Sequence, residues 1–299
     1  MSSPAFKALL AHSATTTAEP TYLPLLEDDG DTMSFLCSIL HLRNDLLPAR
    51  LSPVAFYKLA LLSSQYQCTV ATGRATHLWF QHHFGNNIAS ETLTMIEIAL
   101  LLDEPIYFAR FTERYVLSEA PAHPVLMNML NARMHDVFVA LASSRQTARA
   151  TVRIEVDLMV DPCSVAFADS HRHYYDQPPG ETSSGGDPRK MDLLCRVDEQ
   201  ASVEFLGALR DEKIWPATVW PSSIGALVDI VREFSTPEYD DCDKCAYCAG
   251  VKDLFEAAVA RIKKQQAERL WGLCLDCFKA GGLNAGRCRY EHVKPMLLV

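Results

Sequence analysis

The sequence predicts a mainly α protein, and three observations carry that prediction. Glycine is scarce, at 13 in 299 residues, so few positions resist a helix. Apolar residues recur at helical spacing along most of the chain. Only two stretches read as strand. The expected class is therefore mainly α, with a small α/β unit first and a helical region after it, closed by a cysteine-rich C-terminus.

Taken in order, residues 3–12 read as a short helix capped by Ser2 or Ser3, with Pro4 in its first turn. Ser13–Pro20 is polar and loop-like, and Thr21–Leu26 is a strand candidate. The acidic turn Glu27–Asp31 suits the start of a helix running to about His41, on which Met33, Leu36, Cys37 and Leu40 repeat at helical spacing. Ser52-Pro53 caps a helix whose apolar face includes Val54, Leu59, Leu62 and Tyr66. Gln67–Phe84, Thr92–Leu102, Pro105–Ser118 and about Pro124–Ala142 are further helices. In Thr151–Val160, Val152, Ile154, Val156 and Leu158 alternate with mostly polar residues, a period-two signal that predicts a strand. Asp176–Arg189 is rich in Pro, Gly and Ser and reads as a linker. Met191–Leu209, Ser222–Phe234 and Val251–Trp271 follow as helices. The domain expectation is thus residues 1–85, then a helical region over 86–175 with one or two strands, a linker at 176–190, and a helical C-terminal region over 191–299 with a Cys-rich segment at 242–292.

Composition narrows the function classes. With 48% hydrophobic and 22% charged residues the chain is globular, not disordered. No apolar run approaches the length of a membrane span, and Met1-Ser2-Ser3-Pro4 lacks the basic start of a secretory signal, so an intracellular location, cytoplasmic or nuclear, is expected. There, ten cysteines mean thiols or metal ligands and not disulfides. The net charge of −9 disfavours binding of phosphate backbones by the whole protein. Charge is uneven, however. From Cys242 onward there are ten Lys/Arg against six Asp/Glu, so the preceding 241 residues carry −13.

Cysteines are uneven as well. Cys37, Cys68, Cys163 and Cys195 stand alone, whereas six fall between Cys242 and Cys288. Cys274-x2-Cys277-x10-Cys288-x3-His292 offers three thiolates and one imidazole, and a loop with Gly281, Gly282 and Gly286 can fold them together. Zinc takes four such ligands in a tetrahedron, and a site with all four filled is structural. The alternative is that these are reduced thiols packing as small hydrophobes. Cys242, Cys245 and Cys248 are either a second site completed from elsewhere or plain thiols. They are not expected to share an ion with Cys274 and Cys277, because about twenty helical residues between the groups span ~30 Å, while sulfurs on one zinc lie only ~4 Å apart.

Other patterns carry less. Gly-x-Ser-x-Gly, the phosphate-loop pattern and His-Glu-x2-His are absent, and no nucleophile is paired with a base, so no enzyme is expected. His82-His83 and His171/His173 could bind a metal, but they read as exposed or satisfied loop histidines. Asp28, Asp29 and Asp31 read as a solvated turn, and Trp79, Phe80, Trp215 and Trp220 as core or interface aromatics. Arg287, Arg289 and Lys294 make a small basic cluster beside the cysteines; a zinc-stabilised regulator binding nucleic acid through residues 272–299 is the second function considered.

Several segments resemble a known family. Ser3-Pro4-Ala5-Phe6 resembles the Ser-Pro-x-Phe helix of BTB/POZ domains. After it come a strand candidate, Leu26-Glu27-Asp28-Asp29, and Met33–Asn44. Leu59-Ala60-Leu61-Leu62-Ser63-Ser64-Gln65-Tyr66-Gln67-Cys68 looks like the BTB helix with Leu-Ala-x4-Lys-Tyr-x-Cys. With the Cys274–His292 text, the whole is similar to BTB-containing proteins of filamentous fungi. The resemblance implies a BTB-like α/β unit and a non-enzymatic protein–protein interaction module, an adaptor or scaffold. Its partners would be another BTB chain or a cullin-type ubiquitin ligase scaffold. Met1 falls inside the Ser-Pro helix, where family members have already built a hairpin and a long helix. An incomplete BTB unit is therefore expected, and with it an uncertain homodimer.

Overall fold

The computed structural model describes residues 3–13, 29–86, 91–118, 132–175, 196–221, 223–237, 246–267, 271–281 and 288–289. Among these the chain is helical and contains no strand. It forms two compact units. The first comprises Met1–Val116, Pro124–Ser144 and Leu270–Val299; the second comprises Leu117–His123 and Arg145–Arg269.

The first unit is built from α1 (Pro4–Ser13), α2 (Gly30–Leu40), α3 (Pro53–Gln65), α4 (Thr69–Asn86), α5 (Thr92–Leu101), α6 (Pro105–Leu117) and the first part of α7 (Ala132–Tyr175). Ser3 caps α1, its Oγ accepting from the Phe6 amide at 3.3 Å. Ser52 does the same for α3, accepting from Ala55 at 3.2 Å. The core is aromatic. Phe56 on α3 meets Trp79 and Phe80 of α4 edge-on, at 5.7 and 4.9 Å between ring centroids, and Phe80 stacks on Tyr107 of α6 at 4.4 Å. Such offset and edge contacts add to the burial of these large rings. Trp79 and Phe80 are thus core, one of the two roles expected of them. On α3 the apolar face differs in one residue: Leu59, Leu62 and Tyr66 are buried, but Val54 is exposed and Phe56 takes the inner position.

His83 is also core. Its Nδ1 lies 3.2 Å from Glu91 Oε2 and its Nε2 lies 2.9 Å from the Leu51 carbonyl oxygen, so both nitrogens are engaged by protein groups. His171 and His173 lie on α7, a helix and not the loop expected. The acidic turn behaves as a helix start: Asp29 accepts from Thr32 at 3.1 Å and from Lys58 at 2.7 Å.

The second unit contains the rest of α7 with α8 (Arg196–Asp211), α9 (Ile224–Glu233) and α10 (Ala246–Ala267). Phe205 of α8 stacks on Phe255 of α10 at 4.3 Å and meets Phe234 edge-on at 6.0 Å. The Ser223 hydroxyl caps α9, accepting from Ala226, and donates to the Leu117 carbonyl.

One expectation is overturned here. Thr151–Val160 is not a strand; it belongs to α7. Val152 and Val156 fit both periods, being four apart. The burial of Ala148, Val152, Val156 and Met159 decides for the helix, while Ile154, at 60% exposure, points to solvent. Of the helix expected over Pro124–Ala142, residues 124–131 lie outside the described residues; from Ala132 it runs unbroken to Tyr175. The strand candidate Thr21–Leu26 and the whole of the linker 176–190 lie outside the described residues.

Candidate metal centre

The C-terminal part of the first unit is a strap laid along α6. It begins with Trp271, Gly272 and Leu273, turns into a short helix α11 (Leu275–Lys279), and returns at Cys288 and Arg289. Gly272 sets the approach. A β-carbon there would collide with the Ala109 carbonyl oxygen and lie 2.5 Å from the Glu113 amide nitrogen and 2.8 Å from Thr112 Oγ1. Only hydrogen fits. The neighbours are then tied down: the Leu273 amide donates to Thr112 Oγ1 at 2.8 Å, and the Trp271 amide donates to Glu113 at 3.4 Å. Burial raises the Glu113 carboxyl above its ordinary range. Phe278 packs on Phe108 at 5.9 Å.

The strap brings three of the proposed ligands together. The Sγ atoms of Cys274, Cys277 and Cys288 all lie within 4.8 Å of one another, with Cys277 and Cys288 at 3.5 Å. Cys274 and Cys277 are buried and Cys288 is half-buried. Two causes place them so. Cys274 sits at the N-cap of α11, and the three-residue step puts Cys277 one turn further on. Cys288 arrives by the return of the chain. These separations match sulfurs around one ion held at ~2.3 Å each. The donor set is soft and all-sulfur, so three cysteines are placed to hold a metal ion. His292 lies outside the described residues, as do Cys242 and Cys245. Cys248 is on the first turn of α10, in the other unit.

An ionic lattice, not foreseen from sequence, pins the return of the chain. Arg289 reaches both Asp103 oxygens at 2.8 Å and Asp276 Oδ1 at 2.6 Å, and its amide donates to Asp276 at 2.7 Å. Lys279 joins at Asp103. Asp276 therefore serves Arg289 and stands outside the thiol group. The Arg289 guanidinium, with Lys279 beside it, pulls the Asp103 carboxyl down to about 2 and also lowers Asp276. No sequence pattern links positions 103 and 289. Asp103 does have a local mark, since it ends the α5 run in the left-handed region at φ 59°, which Asp and Asn tolerate better than most residues other than glycine. The lattice also spends the one described member of the basic cluster, Arg289, on internal carboxylates.

Asp103→Asn keeps the backbone preference and deletes the charge. The carboxyl is held below its ordinary 3.8 in the folded protein, so its stabilisation is present above that value and is lost as pH falls through about 2. The pairs are largely exposed, so the variant should cost only about 1 kcal/mol at neutral pH. That difference should shrink in ~1 M salt, where the Debye length is ~3 Å, as denaturation midpoints will show.

Burial pushes the Cys274 thiol up, and burial together with the neighbouring sulfurs pushes Cys288 up to about 12. Both are protonated at neutral pH without a metal. A metal must displace those protons, so affinity should rise with pH and binding should release protons. Titration calorimetry in buffers of different ionisation enthalpy, at two pH values, checks both; affinity independent of pH would contradict this.

No helix among the described residues is long and apolar enough to cross a membrane. Comparison with protein-family models, with curated proteins and with solved structures gives no match.

Proposed function

We propose that the chain is a non-enzymatic protein–protein interaction module of the BTB/POZ type, an adaptor or scaffold, with a BTB-like α/β unit within residues 1–85 and a structural zinc closing its C-terminal strap. One observation carries the reading. The two segments that resemble the BTB family, some sixty positions apart, meet each other: the Ser3 hydroxyl donates to the Tyr66 carbonyl, and Phe6 stacks on Tyr66 at 4.6 Å with rings 6° from parallel. Their order along the chain would not by itself bring them into contact.

A second feature fits a partner-binding role. Ile39, Leu42, Leu47, Ala71, Arg74 and Leu78 line an open groove of about 340 Å³ between the end of α2 and α4. Leu42 and Leu78 are 81% and 65% exposed there. Apolar side chains clustered around a concave surface, with a cation among them, suit a protein partner. The partner proposed is another BTB chain or a cullin-type ubiquitin ligase scaffold. Zinc is proposed because three thiolates with His292 would fill a closed tetrahedron.

Binding of the full chain to a purified BTB domain and to a cullin N-terminal domain is the test. Micromolar or tighter binding to either, weakened by Leu78→Asp, is expected. A monomer that binds neither would refute the reading. The nucleic-acid alternative predicts salt-dependent retention of the full chain on DNA or RNA; the engagement of Arg289 by Asp103 and Asp276 weighs against it.

A further inference from the structure

Of the three thiols, Cys288 alone is partly open to solvent; Cys274 and Cys277 are buried. Cys288 lies outside any helix, while Cys277 is fixed on α11. Their sulfurs are 3.5 Å apart. A disulfide needs ~2.05 Å, so side-chain rotation at the non-helical partner has only about 1.5 Å to make up. The two competing pairs both use Cys274, whose carbonyl accepts the Phe278 amide at 2.9 Å as the cap of α11, and the sulfur pair brought to 3.5 Å is Cys277 with Cys288.

We propose that the Cys277–Cys288 pair is a redox-responsive bond, closed by hydrogen peroxide, whose closure dismantles the metal site. The proposal rests on the metal reading of the three cysteines. Coordination keeps the sulfurs as thiolates, the form that peroxide oxidises. The Cys288 thiolate attacks one peroxide oxygen. The O–O bond breaks, the departing hydroxide takes a proton to give water, and Cys288 becomes a sulfenic acid. The Cys277 sulfur then attacks the Cys288 sulfur. The S–O bond breaks, a second hydroxide takes a proton, and the S–S bond forms. The two sulfurs lose two electrons and the peroxide gains them, yielding two waters. Cys274 takes a third proton as its metal bond is lost, and two of the four ligands of the proposed tetrahedron, one thiol and the His292 imidazole, do not retain the ion.

The strap makes this a bond with a defined consequence. Before oxidation the return of the chain is held through the ion; afterwards it is held covalently, with Arg289 still on Asp103 and Asp276. The ion is lost while the strap stays closed. The device therefore reports oxidation as metal release without unfolding the unit.

The experiment uses the full chain loaded with one equivalent of zinc and then treated with a molar excess of hydrogen peroxide. Released zinc is followed with a chromogenic chelator, and linkages are mapped by mass spectrometry without reduction. Release of the bound zinc together with a Cys277–Cys288 crosslink is expected. Dithiothreitol should reverse both, with zinc taken up again. Zinc retained through the treatment, zinc lost without a crosslink, or a Cys274–Cys277 crosslink would each overturn the redox proposal and leave the metal reading standing. A chain that takes up no zinc at the loading step refutes the metal reading and the proposal with it, and does so before any peroxide is added.

Discussion

Gly272→Ala is expected to lift the C-terminal strap off α6, a loss of about 3 kcal/mol or more. The added methyl has nowhere to go. Its neighbours are the Ala109 carbonyl and the Glu113 amide, both part of helical backbone, and the Thr112 hydroxyl. A flexible side chain can swing aside, but a helix backbone cannot without breaking its own ladder. If the strap moves instead, the Leu273 amide loses Thr112 Oγ1, and a buried donor left unmade costs a further ~1–3 kcal/mol. Trp271 and Leu273, both buried, would be exposed as well. Gly207→Ala is the matched control. It lies inside α8 with nothing within 4 Å of a β-carbon, and should be neutral or stabilising by up to about 1 kcal/mol. Thermal unfolding of both variants, with tryptic cleavage of the strap as local readout, decides. A Gly272→Ala protein as stable as its parent would mean that the strap is not seated as described.

The same residue shows what the sequence could and could not tell. The cysteine spacing announced a shared site, because Cys-x2-Cys places two sulfurs on one turn whatever surrounds it. Helix positions were legible for a similar reason: Phe255, Ala258, Val259 and Ile262 repeat with the period of the helix that buries them. Thr151–Val160 failed because Val152 and Val156 satisfy two periods at once, and the residues that break the tie, Ala148 and Met159, lie toward or outside the ends of the ten-residue stretch. Gly272 was silent. One glycine among 13 carries no sign that a helix backbone more than 150 positions earlier lies against it. Asp103 and Arg289 were silent too, since a charge does not name its partner. Local periodicity was readable; long-range complementarity of backbone and charge was not.

Cys277→Ser is expected to abolish metal binding and to free the far half of the strap while the near half stays docked. The distinction follows from what holds each half. Trp271–Leu275 is buried against α6 and bonded to Thr112 and Glu113, independently of any ion. Beyond it, the return of the chain is held by Phe278, by the thiol group and by ion pairs of Lys279 and Arg289 whose side chains are 45% and 47% exposed. Exposed pairs contribute ~0–1 kcal/mol each, while fixing each residue of the return costs ~1–2 kcal/mol. The pairs alone cannot hold it. A closed thiolate site, with apparent binding free energies on the order of 10 kcal/mol, can. The zinc-loaded parent should therefore resist trypsin at Lys279 and Arg289, and the variant should be cut at both within the same exposure. A strong chelator should bring the parent to the rate of the variant and leave the variant unchanged. Thermal unfolding of the rest of the unit, centred on Phe56, Phe80 and Tyr107, should move little in either case. If the variant binds zinc as the parent does, or if its strap resists trypsin equally, the three cysteines are packing thiols, and the ionic lattice with the Phe278 contact suffices to hold the strap.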